Sequence, residues 1–392
     1  MAALGRFAVH HVGGRNGVRV FPICAPFEAD MVSVFYDADV DCLPQIEARN
    51  AGLASELHVL PHCLWSSAQT RALTIARDAY ASSLLPFNPT YGERNEFGRD
   101  HEYRYGETMA PARLVEVETI TLDAALARPG APQAPDFLSI DVQGAELEIL
   151  KGGEKAVETA VALQLEVEFV DMYRGQPLVS DIFRHLDAKG FEFLRFVNLS
   201  RAYARSAPIG LRAETCDMSA DALFVRRLDH PAMTPARLAK LAFVATVFGH
   251  FDVVGACLDR LPAGWLDGAA ADGPGKRIAR FLDKLGAARQ GAAGFRPWTF
   301  LEKWPVEDGR PRFMTGPDFD RAAERLGERR KGEEARIRSA IAELRKLGAE
   351  EPYGFEPVLL AHEFNEQAEN LKTRRIAEVA SLLSALSEGR VF

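Results

Sequence analysis

Acidic residues occur where predicted buried strands give way to turns. The segment Phe137–Asp141 is apolar up to Asp141, which is followed by a glycine turn and by Glu146. Ligands of open α/β sheets bind outside the carboxyl ends of the strands, and a carboxylate there can accept a proton. We therefore predict that Asp141 and Glu146 are catalytic. Each also has a structural interpretation, because Asp141 can cap the next helix and Glu146 can interact with the dipole of its first turn.

A second pair of acidic residues lies on the segment Val161–Phe169, in which polar and apolar residues alternate. Alternation puts Glu166 and Glu168 on one face of a strand. An unpaired carboxylate is costly to bury, so these side chains are expected to face a cleft or an arginine. One alternative is a general base with a raised pKa. The other is a buried ion pair with Arg195 or Arg201.

A glycine-rich turn, His11–Gly17 (HVGGRNG), follows the predicted first strand. Glycines let the backbone approach a ligand closely, and a helix starting there presents free N–H groups. Strand–helix joints also use glycine for steric reasons alone. The predicted second strand ends at Asp37, whose carboxylate is placed to accept the hydroxyls of a ribose. Asp39 and Asp41 are predicted to cap the next helix.

Short apolar runs alternate with amphipathic segments as far as about residue 228. This pattern predicts βαβ units and a doubly wound, mostly parallel α/β sheet. A polar, aromatic-rich insertion, Ser82–Glu116, is predicted to be a lid. The predicted strands are Phe7–Val12, Met31–Asp37, Leu57–Trp65, Phe137–Asp141, Val161–Phe169, Phe191–Leu199 and Ala222–Arg226. The predicted helices are one directly after the glycine turn, Asp41–Ala51 and Ser180–Lys189.

The pattern changes in the last part of the chain. From Thr234 onward, β-branched runs are rare and apolar residues recur at helical spacing. We predict helices over Arg237–Leu261, Lys331–Leu347 and Phe364–Leu386, and therefore a domain over 1–230 followed by a helical domain over 231–392. The apolar stripe of the last helix favours packing against another helix, within the chain or in a homo-oligomer.

Composition and charge limit the classes of function. The chain has 392 residues, of which 47% are hydrophobic, enough for two folded domains. A net charge of −8 argues against non-specific binding to nucleic acid or to an anionic membrane. Five scattered cysteines without a CxxC pair, and no signal peptide or membrane span, predict a cytoplasmic protein. No metal site is predicted, because the histidines form no HxH or HExxH pattern, although the several nearby carboxylates leave the alternative of a metal site open.

Taken in order, these motifs resemble those of FkbM-type S-adenosylmethionine-dependent methyltransferases over residues 7–227. HVGGRNG is similar to the family's DVGAxxG loop, and YDAD, which contains Asp37, is similar to its ribose-binding element. LPHCLW, ASSLL and VETITLDAAL follow in the family's order, and DFLSIDVQGAELEILKGG is the most specific match. LQLEVEFVDMYRGQPLVSDI and ADALFVR complete the resemblance.

The resemblance implies a seven-stranded methyltransferase domain with S-adenosylmethionine as cofactor. The predicted catalytic residues are Asp141, Glu166 and Glu146. The predicted cofactor-binding residues are His11, Gly13, Gly14, Arg15, Gly17, Asp37, Ala38, Asp141 and Gln143. The predicted substrate-binding residues are Ser82, Ser83, Glu168 and Tyr173. Two positions depart from the family pattern, because His11 stands in place of an acid and Ser139 in place of a frequent lysine.

We therefore interpret the chain as an O-methyltransferase that acts on a hydroxyl of a small molecule, sugar, polysaccharide or other glycan. Asp141 or Glu166 would be the base, and Glu146 would orient a substrate hydroxyl. One alternative is a degenerate methyltransferase fold that acts as a scaffold, which His11 favours. A second alternative is a nicotinamide-dependent oxidoreductase, which the GGxxG spacing and the segment DVQGAE disfavour.

Overall fold

The computed structural model describes residues 4–17, 19–24, 27–97, 103–204 and 214–291, together with short segments between 306 and 328. The predicted helices Lys331–Leu347 and Phe364–Leu386 lie outside the described residues. The chain divides into two compact units, which are Met1–Ala245 with His250–Arg280 and Thr246–Gly249 with Phe281–Phe392. The domain boundary near residue 230 remains a proposal.

A nine-stranded sheet forms the centre of the first unit, in the order β3-β2-β1-β9-β10-β12-β11-β6-β7. The strands from β3 to β10 in this order are parallel, and β12 is antiparallel to both of its neighbours. The seven strands from β3 to β11 confirm the predicted doubly wound, mostly parallel sheet. In chain order the strands of the first unit are β1 (Phe7–Val12), β2 (Met31–Tyr36), β3 (Glu56–Leu60), β4 (Cys63–Leu64), β5 (Thr70–Ala76), β6 (Asn95–Phe97), β7 (Tyr103–Arg104), β8 (Pro111–Ile120), β9 (Phe137–Ile140), β10 (Ala162–Glu168), β11 (Phe191–Ala204) and β12 (Glu214–Arg226).

The direction of winding reverses at β1. Strands β2 and β3 extend the sheet on one side of β1, whereas β9 and β10 extend it on the other. Such a reversal leaves a crevice at the carboxyl ends of the two central strands. The Asp141 N–H, just after β9, donates to the Val12 carbonyl at the end of β1 over 3.0 Å. The fold therefore places the glycine turn beside the segment that follows β9.

Helices and aromatic side chains cover the two faces of the sheet. One face packs an aliphatic cluster against α5 and α7, with Ile149 and Ile182 at its centre. On the other face, Phe243 of α8 contacts the rings of Phe7 and Phe27, with centroids 5.4 and 5.2 Å away. In chain order the helices are α1 (Leu43–Asn50), α2 (Pro89–Arg94), α3 (Tyr105–Thr108), α4 (Leu122–Leu126), α5 (Glu146–Gly152), α6 (Glu154–Thr159), α7 (Val179–Ala188), α8 (Pro235–Val247), α9 (Phe251–Leu258), α10 (Trp265–Ala271) and α11 (Lys276–Gly291).

Three predicted elements differ from those observed. The predicted third strand stops at Leu60, because the following Pro61 has no N–H for the ladder, and β4 pairs with β8 instead. The helix expected after the glycine turn is a single 3-10 turn, Arg15–Gly17. The long helix predicted from residue 237 is two helices, α8 and α9, since Gly249 between them has a φ of +76°.

The predicted lid contains more regular structure than its polar composition indicates. It follows β5 and runs into the first part of β8, and these two strands are antiparallel and pair from Thr70 opposite Glu118 to Ala76 opposite Pro111. This pairing is not predicted from the sequence, because no strand is predicted for the alternating segment Thr70–Ala76. Within the insertion, α2 and α3 pack on each other through Tyr91 and Tyr105, whose ring centroids are 5.5 Å apart. Among the described residues, no helix is both long and apolar enough to cross a membrane.

Candidate active site

A first cavity, of about 270 Å³, lies at the carboxyl ends of β1, β2 and β9. Strand β5 and the start of the lid close its outer side. The cavity therefore occupies the crevice that the reversal of winding creates. Nine of the predicted site residues line it, namely His11, Gly13, Gly14, Arg15, Asp37, Ala38, Ser82, Ser83 and Asp141.

The glycines of the turn are required by close backbone contacts. Gly13 has a φ of +84°, and a Cβ on it would lie 1.7 Å from the Asp141 carbonyl oxygen. The N–H groups of Gly13 and Gly14 both donate to the Tyr36 carbonyl, over 3.0 and 3.2 Å. They are therefore not the free donors that the sequence predicts for this turn. Gly17 packs on α1, where a Cβ would lie 2.8 Å from Asn50 Nδ2.

Asp37 lies at the end of β2, on the wall of the first cavity. Its Oδ1 accepts a hydrogen bond from the Asp39 N–H over 2.8 Å, and burial raises the pKa of its carboxyl group. Asp39 forms an ion pair with Arg15 and caps the 3-10 turn Val40–Cys42. The predicted cap Asp41 caps no helix, because the N-cap of α1 is Cys42, without a side-chain cap. Because Asp39 is engaged by Arg15 and by the turn, Asp37 is the carboxylate of this segment that is best placed to bind a ligand in the first cavity.

His11 presents unsatisfied polar atoms at the first cavity. Its side chain stacks on Phe35, with ring centroids 4.8 Å apart, and neither ring nitrogen has a hydrogen-bond partner among the described residues. Burial lowers the pKa of His11 to about 3, so its imidazole is neutral. The adjacent His10, by contrast, contacts the Gln133 carbonyl and the Tyr36 hydroxyl. His11 therefore offers a ligand of this cavity a hydrogen-bonding group, because a buried polar group without a partner is costly.

A second cavity, of about 340 Å³, lies beside the first and shares Tyr80 with it. Gln143 and Glu166 bring polar groups to its wall, and methionines bring apolar surface. Its residues come from segments that are far apart in the sequence. They include Asp78, Tyr80, Thr108, Met109, Gln143, Glu166, Met172, Met218 and Ser219.

Gln143 joins the two cavities. Its Nε2 donates to Asp141 Oδ1 over 3.0 Å and to Glu166 Oε2 over 2.6 Å, and its Oε1 accepts from the Tyr173 hydroxyl over 3.0 Å. The Gln143 carbonyl accepts from the Ser83 hydroxyl over 2.7 Å. Gln143 also has a φ of +60°, which is unfavourable for a residue with a side chain. Ser83 and Tyr173 therefore position Gln143 and hold it in this strained conformation.

Glu146 organises the turn after β9. Its Oε1 accepts from the N–H groups of Val142 and Gly144 over 2.9 and 3.2 Å. The N-cap of α5 is Ala145, without a side-chain cap, so Asp141 does not have the capping role considered from the sequence. Burial, and next the nearby Asp141 charge, raise the pKa of Glu146 to about 7.

Glu166 and Glu168 lie on one face of β10, as the alternation predicts. Burial raises the pKa of Glu166 well above its ordinary value, and the charge of Asp141 is the next largest cause. Burial also raises the pKa of Glu168 well above its ordinary value, and there the charge of Glu146 is the next largest cause. Across the described residues, neither forms an ion pair with Arg195 or Arg201, and Arg201 contacts Asp217 at 3.0 Å. Glu166 therefore faces the second cavity, whereas Glu168 is buried and lines neither of the two cavities.

Several lining residues were not predicted. Tyr80, Leu73 and Ile75 reach the first cavity from β5 and the residues after it. The signal that could have found them is the alternation in TRALTIA and in ARLVEVETI, which is typical of paired strands. The methionines of the second cavity have no comparable signal, because each lies alone in its segment.

Comparison with protein families gives one match, in which residues 29–193 match the model of the methyltransferase FkbM domain. The match supports the resemblance noted from the sequence. It begins after the glycine turn, which thus lies outside the matched residues. No curated protein matches the sequence.

Solved structures give more distant similarities. Magnesium protoporphyrin IX methyltransferase (ChlM) from Synechocystis PCC 6803, with bound SAM, has a TM-score of 0.29 and 12% identity, over 57% of this chain and 71% of that one. Methyltransferase FkbM from Methylobacillus flagellatus KT has a TM-score of 0.28 and 11% identity, over 57% of this chain and 44% of that one. The 23S rRNA methyltransferase ErmE has a TM-score of 0.27 and 13% identity, over 72% of this chain and 92% of that one. These TM-scores are too low to indicate a shared fold, so the fold assignment rests on the strand order.

Proposed function

We propose that this chain, whose residues 29–193 are an FkbM-type methyltransferase domain, binds S-adenosylmethionine in the first cavity and methylates a hydroxyl group in the second. The observation that carries the proposal is the Gln143 side chain. It links Asp141, on the first cavity, to Glu166, on the second, over 3.0 and 2.6 Å. A methyl donor and its acceptor would meet at this link.

The first cavity offers groups that suit the two ends of this cofactor. The Asp37 carboxylate, on the cavity wall, would accept the ribose hydroxyls. The neutral His11 imidazole would accept a hydrogen bond from the ammonium group of the methionine part, which satisfies a nitrogen that lacks a partner. His11 would thus replace the family's acid as an uncharged acceptor.

The chemical demand on the protein is small. When bound, S-adenosylmethionine supplies an electrophilic methyl group on its sulfonium. The residues of this chain have to orient the acceptor oxygen in line with that group and to receive the hydroxyl proton as the new C–O bond forms. Asp141 or Glu166 would receive the proton, and burial raises the pKa of Glu166, which favours proton transfer at neutral pH. Glu146, whose Oε1 binds the turn, would orient the acceptor through its other oxygen.

The lining of the second cavity supports a hydroxyl-rich acceptor. Carboxylate, amide and hydroxyl groups alternate there with methionine side chains, a combination that suits the polar edge and the apolar face of a sugar ring. We propose a sugar, a polysaccharide or other glycan, or a hydroxylated secondary metabolite. Homo-oligomer contacts through residues 364–386 and a cytoplasmic location also remain predictions.

The scaffold and oxidoreductase alternatives predict different ligands. A scaffold would not bind S-adenosylmethionine. An oxidoreductase would bind NAD, but the N–H groups of Gly13 and Gly14 already bond the Tyr36 carbonyl and are not available to a pyrophosphate. Thermal shifts with S-adenosylmethionine and with NAD separate the three functions, because a ligand of the native state raises the melting temperature.

The proposed function is tested by transfer of an isotope-labelled methyl group from S-adenosylmethionine. The acceptors are monosaccharides, glycolipids and polysaccharide fragments, each paired with the analogue that lacks one hydroxyl. We expect label in a stable methyl ether, lost when the reacting hydroxyl is absent. Transfer to an amine or a thiol, or cofactor binding without transfer to any hydroxyl, would contradict O-methylation.

A further inference from the structure

Three carboxylates converge beside the second cavity. Glu146 comes from the start of α5, and Glu166 and Glu168 come from the end of β10. One oxygen atom of each lies within 4.8 Å of the others. Strand β10 pairs with β9 only as far as Leu165, so the two β10 residues extend beyond the edge of the parallel sheet. They meet Glu146 where the turn after β9 leaves room.

Two of these carboxylates are buried and the third, Glu166, is half-buried, and within the described residues no compensating charge lies beside them. Glu146 is 1% exposed and Glu168 is 3% exposed, and in the part of the chain that the structure describes no Lys or Arg forms an ion pair with any of the three. Glu168 Oε1 is buried and has no hydrogen-bond partner among these residues. Buried carboxylates are normally paired with a cation or bound to a metal. The cluster therefore lacks a positively charged partner.

We propose that Glu146, Glu166 and Glu168 bind one hard divalent cation, such as Mg²⁺ or Mn²⁺. A site made only of carboxylate oxygens suits these ions rather than zinc or copper. Each carboxylate has an oxygen to offer, because Glu146 uses Oε1 for the turn and Glu166 uses Oε2 for Gln143. In an octahedral Mg²⁺ site, adjacent ligands lie about 3 Å apart and opposite ligands about 4.2 Å apart, so movements of about 1–2 Å would bring the three oxygens, now within 4.8 Å of one another, to these distances.

The position of the cation has a consequence for the reaction, and this step rests on the proposed function. Glu166 is the member of the trio that lines the second cavity, so the open coordination positions would face the acceptor. A bound cation lowers the pKa of a hydroxyl that coordinates to it. With Glu166 bound to the cation, Asp141 becomes the carboxylate that receives the proton, and Glu146 would orient the acceptor through the cation rather than directly. The site thus decides between the two candidate bases.

Binding of Mn²⁺ to the chelator-treated full-length protein tests the proposal. The signal of free Mn²⁺ in electron paramagnetic resonance reports the bound fraction. We expect one saturable site per chain in the wild type, and at least tenfold weaker binding in Glu168→Gln. The matched control is Glu148→Gln on the same helix, because Glu148 contacts Ser66 and Lys151 and lies outside the trio. It should bind Mn²⁺ as the wild type does.

Absence of saturable binding in the wild type, or equal binding in the wild type and Glu168→Gln, would overturn the proposal. A melting curve in chelator checks folding, and Glu168→Gln should melt close to the wild type because it keeps the size and shape of the side chain. In the wild type alone, Mn²⁺ should raise the melting temperature, and no shift would contradict the site. Titration of the same samples with S-adenosylhomocysteine separates the two proposals, since loss of that binding would contradict the proposed function instead.

Discussion

The two cavities are neighbours, but they are built in different ways. The first is formed by the ends of parallel strands, with backbones so close that a Cβ on Gly13 would lie 1.7 Å from the Asp141 carbonyl oxygen, and it contains a neutral His11. The second is formed by side chains from distant segments, with carboxyl groups of raised pKa and with Gln143 at a positive φ. Perturbed pKa values and strained backbone concentrate at functional sites. The first cavity thus follows from the ends of the parallel strands, whereas the second depends on contacts between side chains of distant segments.

The largest expected effect is that of Asp141→Asn at the boundary between the cavities. Removing a proton acceptor should lower kcat about 100-fold or more, while S-adenosylhomocysteine affinity stays within about threefold of the wild type because the shape of the site is kept. Single-turnover methyl transfer and calorimetry measure the two quantities. Asp187→Asn, which removes only an exposed ion pair with Arg227, is the matched control. Intact turnover in Asp141→Asn would show that this carboxylate is not the base.

The next effect, on stability, tests whether strand ends fix the first cavity. Gly13 and Gly130 both have a positive φ, but a Cβ on Gly130 would meet no atom within 4 Å. Gly130→Ala should cost about 1 kcal/mol of the free energy of unfolding from backbone strain alone. Gly13→Ala should cost about 3 kcal/mol or more and should also weaken cofactor binding. Denaturant unfolding measures both variants, and equal losses would mean that the close contact at Gly13 has no energetic role.

A smaller effect is expected at Gln143, where conformation and chemistry can be separated. Both Gln143→Gly and Gln143→Ala lose the hydrogen bonds to Asp141 and Glu166, so both should lower kcat/KM roughly tenfold. Gln143→Gly should be the more stable variant by about 1 kcal/mol, because glycine tolerates the positive φ. Kinetics and thermal unfolding of the pair measure this. The opposite order of stability would argue that Gln143 is not strained.

The smallest effect concerns pH and the first cavity. The pKa of His11 is about 3 in the folded protein, below its unfolded value, so the unfolded chain gains a proton first as the pH falls. His11 should therefore reduce the free energy of unfolding by about 1 kcal/mol between about pH 7 and pH 5.5. His11→Gln should remove that part of the pH dependence, as measured by denaturant unfolding at both pH values. In the His11→Gln variant, His10 should still contribute its own part of the pH dependence of the free energy of unfolding, since burial lowers the pKa of His10 in the same way. An unchanged slope would contradict the lowered pKa, because it would mean that His11 binds its proton equally in the folded and the unfolded chain.

The difference between the cavities also explains what the sequence could predict. Asp37 and Asp141 follow continuous apolar strands, and strand ends meet at one edge of a parallel sheet, so their place on the first cavity could be predicted. The alternation in Val161–Phe169 likewise placed Glu166 and Glu168 on one face.

Other features depend on contacts between distant residues. The approach of Glu146 to Glu168 depends on how far β10 extends beyond β9, which local pattern does not encode. The positive φ of Gln143 is imposed by hydrogen bonds to Ser83 and Tyr173, each far away in the chain. The pattern of His11–Gly17 is typical of the start of a helix, yet the N–H groups of Gly13 and Gly14 donate to Tyr36 of β2 instead. Tertiary contacts therefore decide the details that the chemistry needs.

The division into a cofactor cavity and an acceptor cavity is tested most directly by calorimetric titration with S-adenosylhomocysteine. Wild type, Asp37→Ala and Glu166→Gln would be compared under one condition. We expect the wild type to bind, Asp37→Ala to bind roughly tenfold or more weakly because it loses hydrogen bonds to a charged group, and Glu166→Gln to bind like the wild type. No binding in the wild type, or equal weakening in both variants, would contradict the central claim.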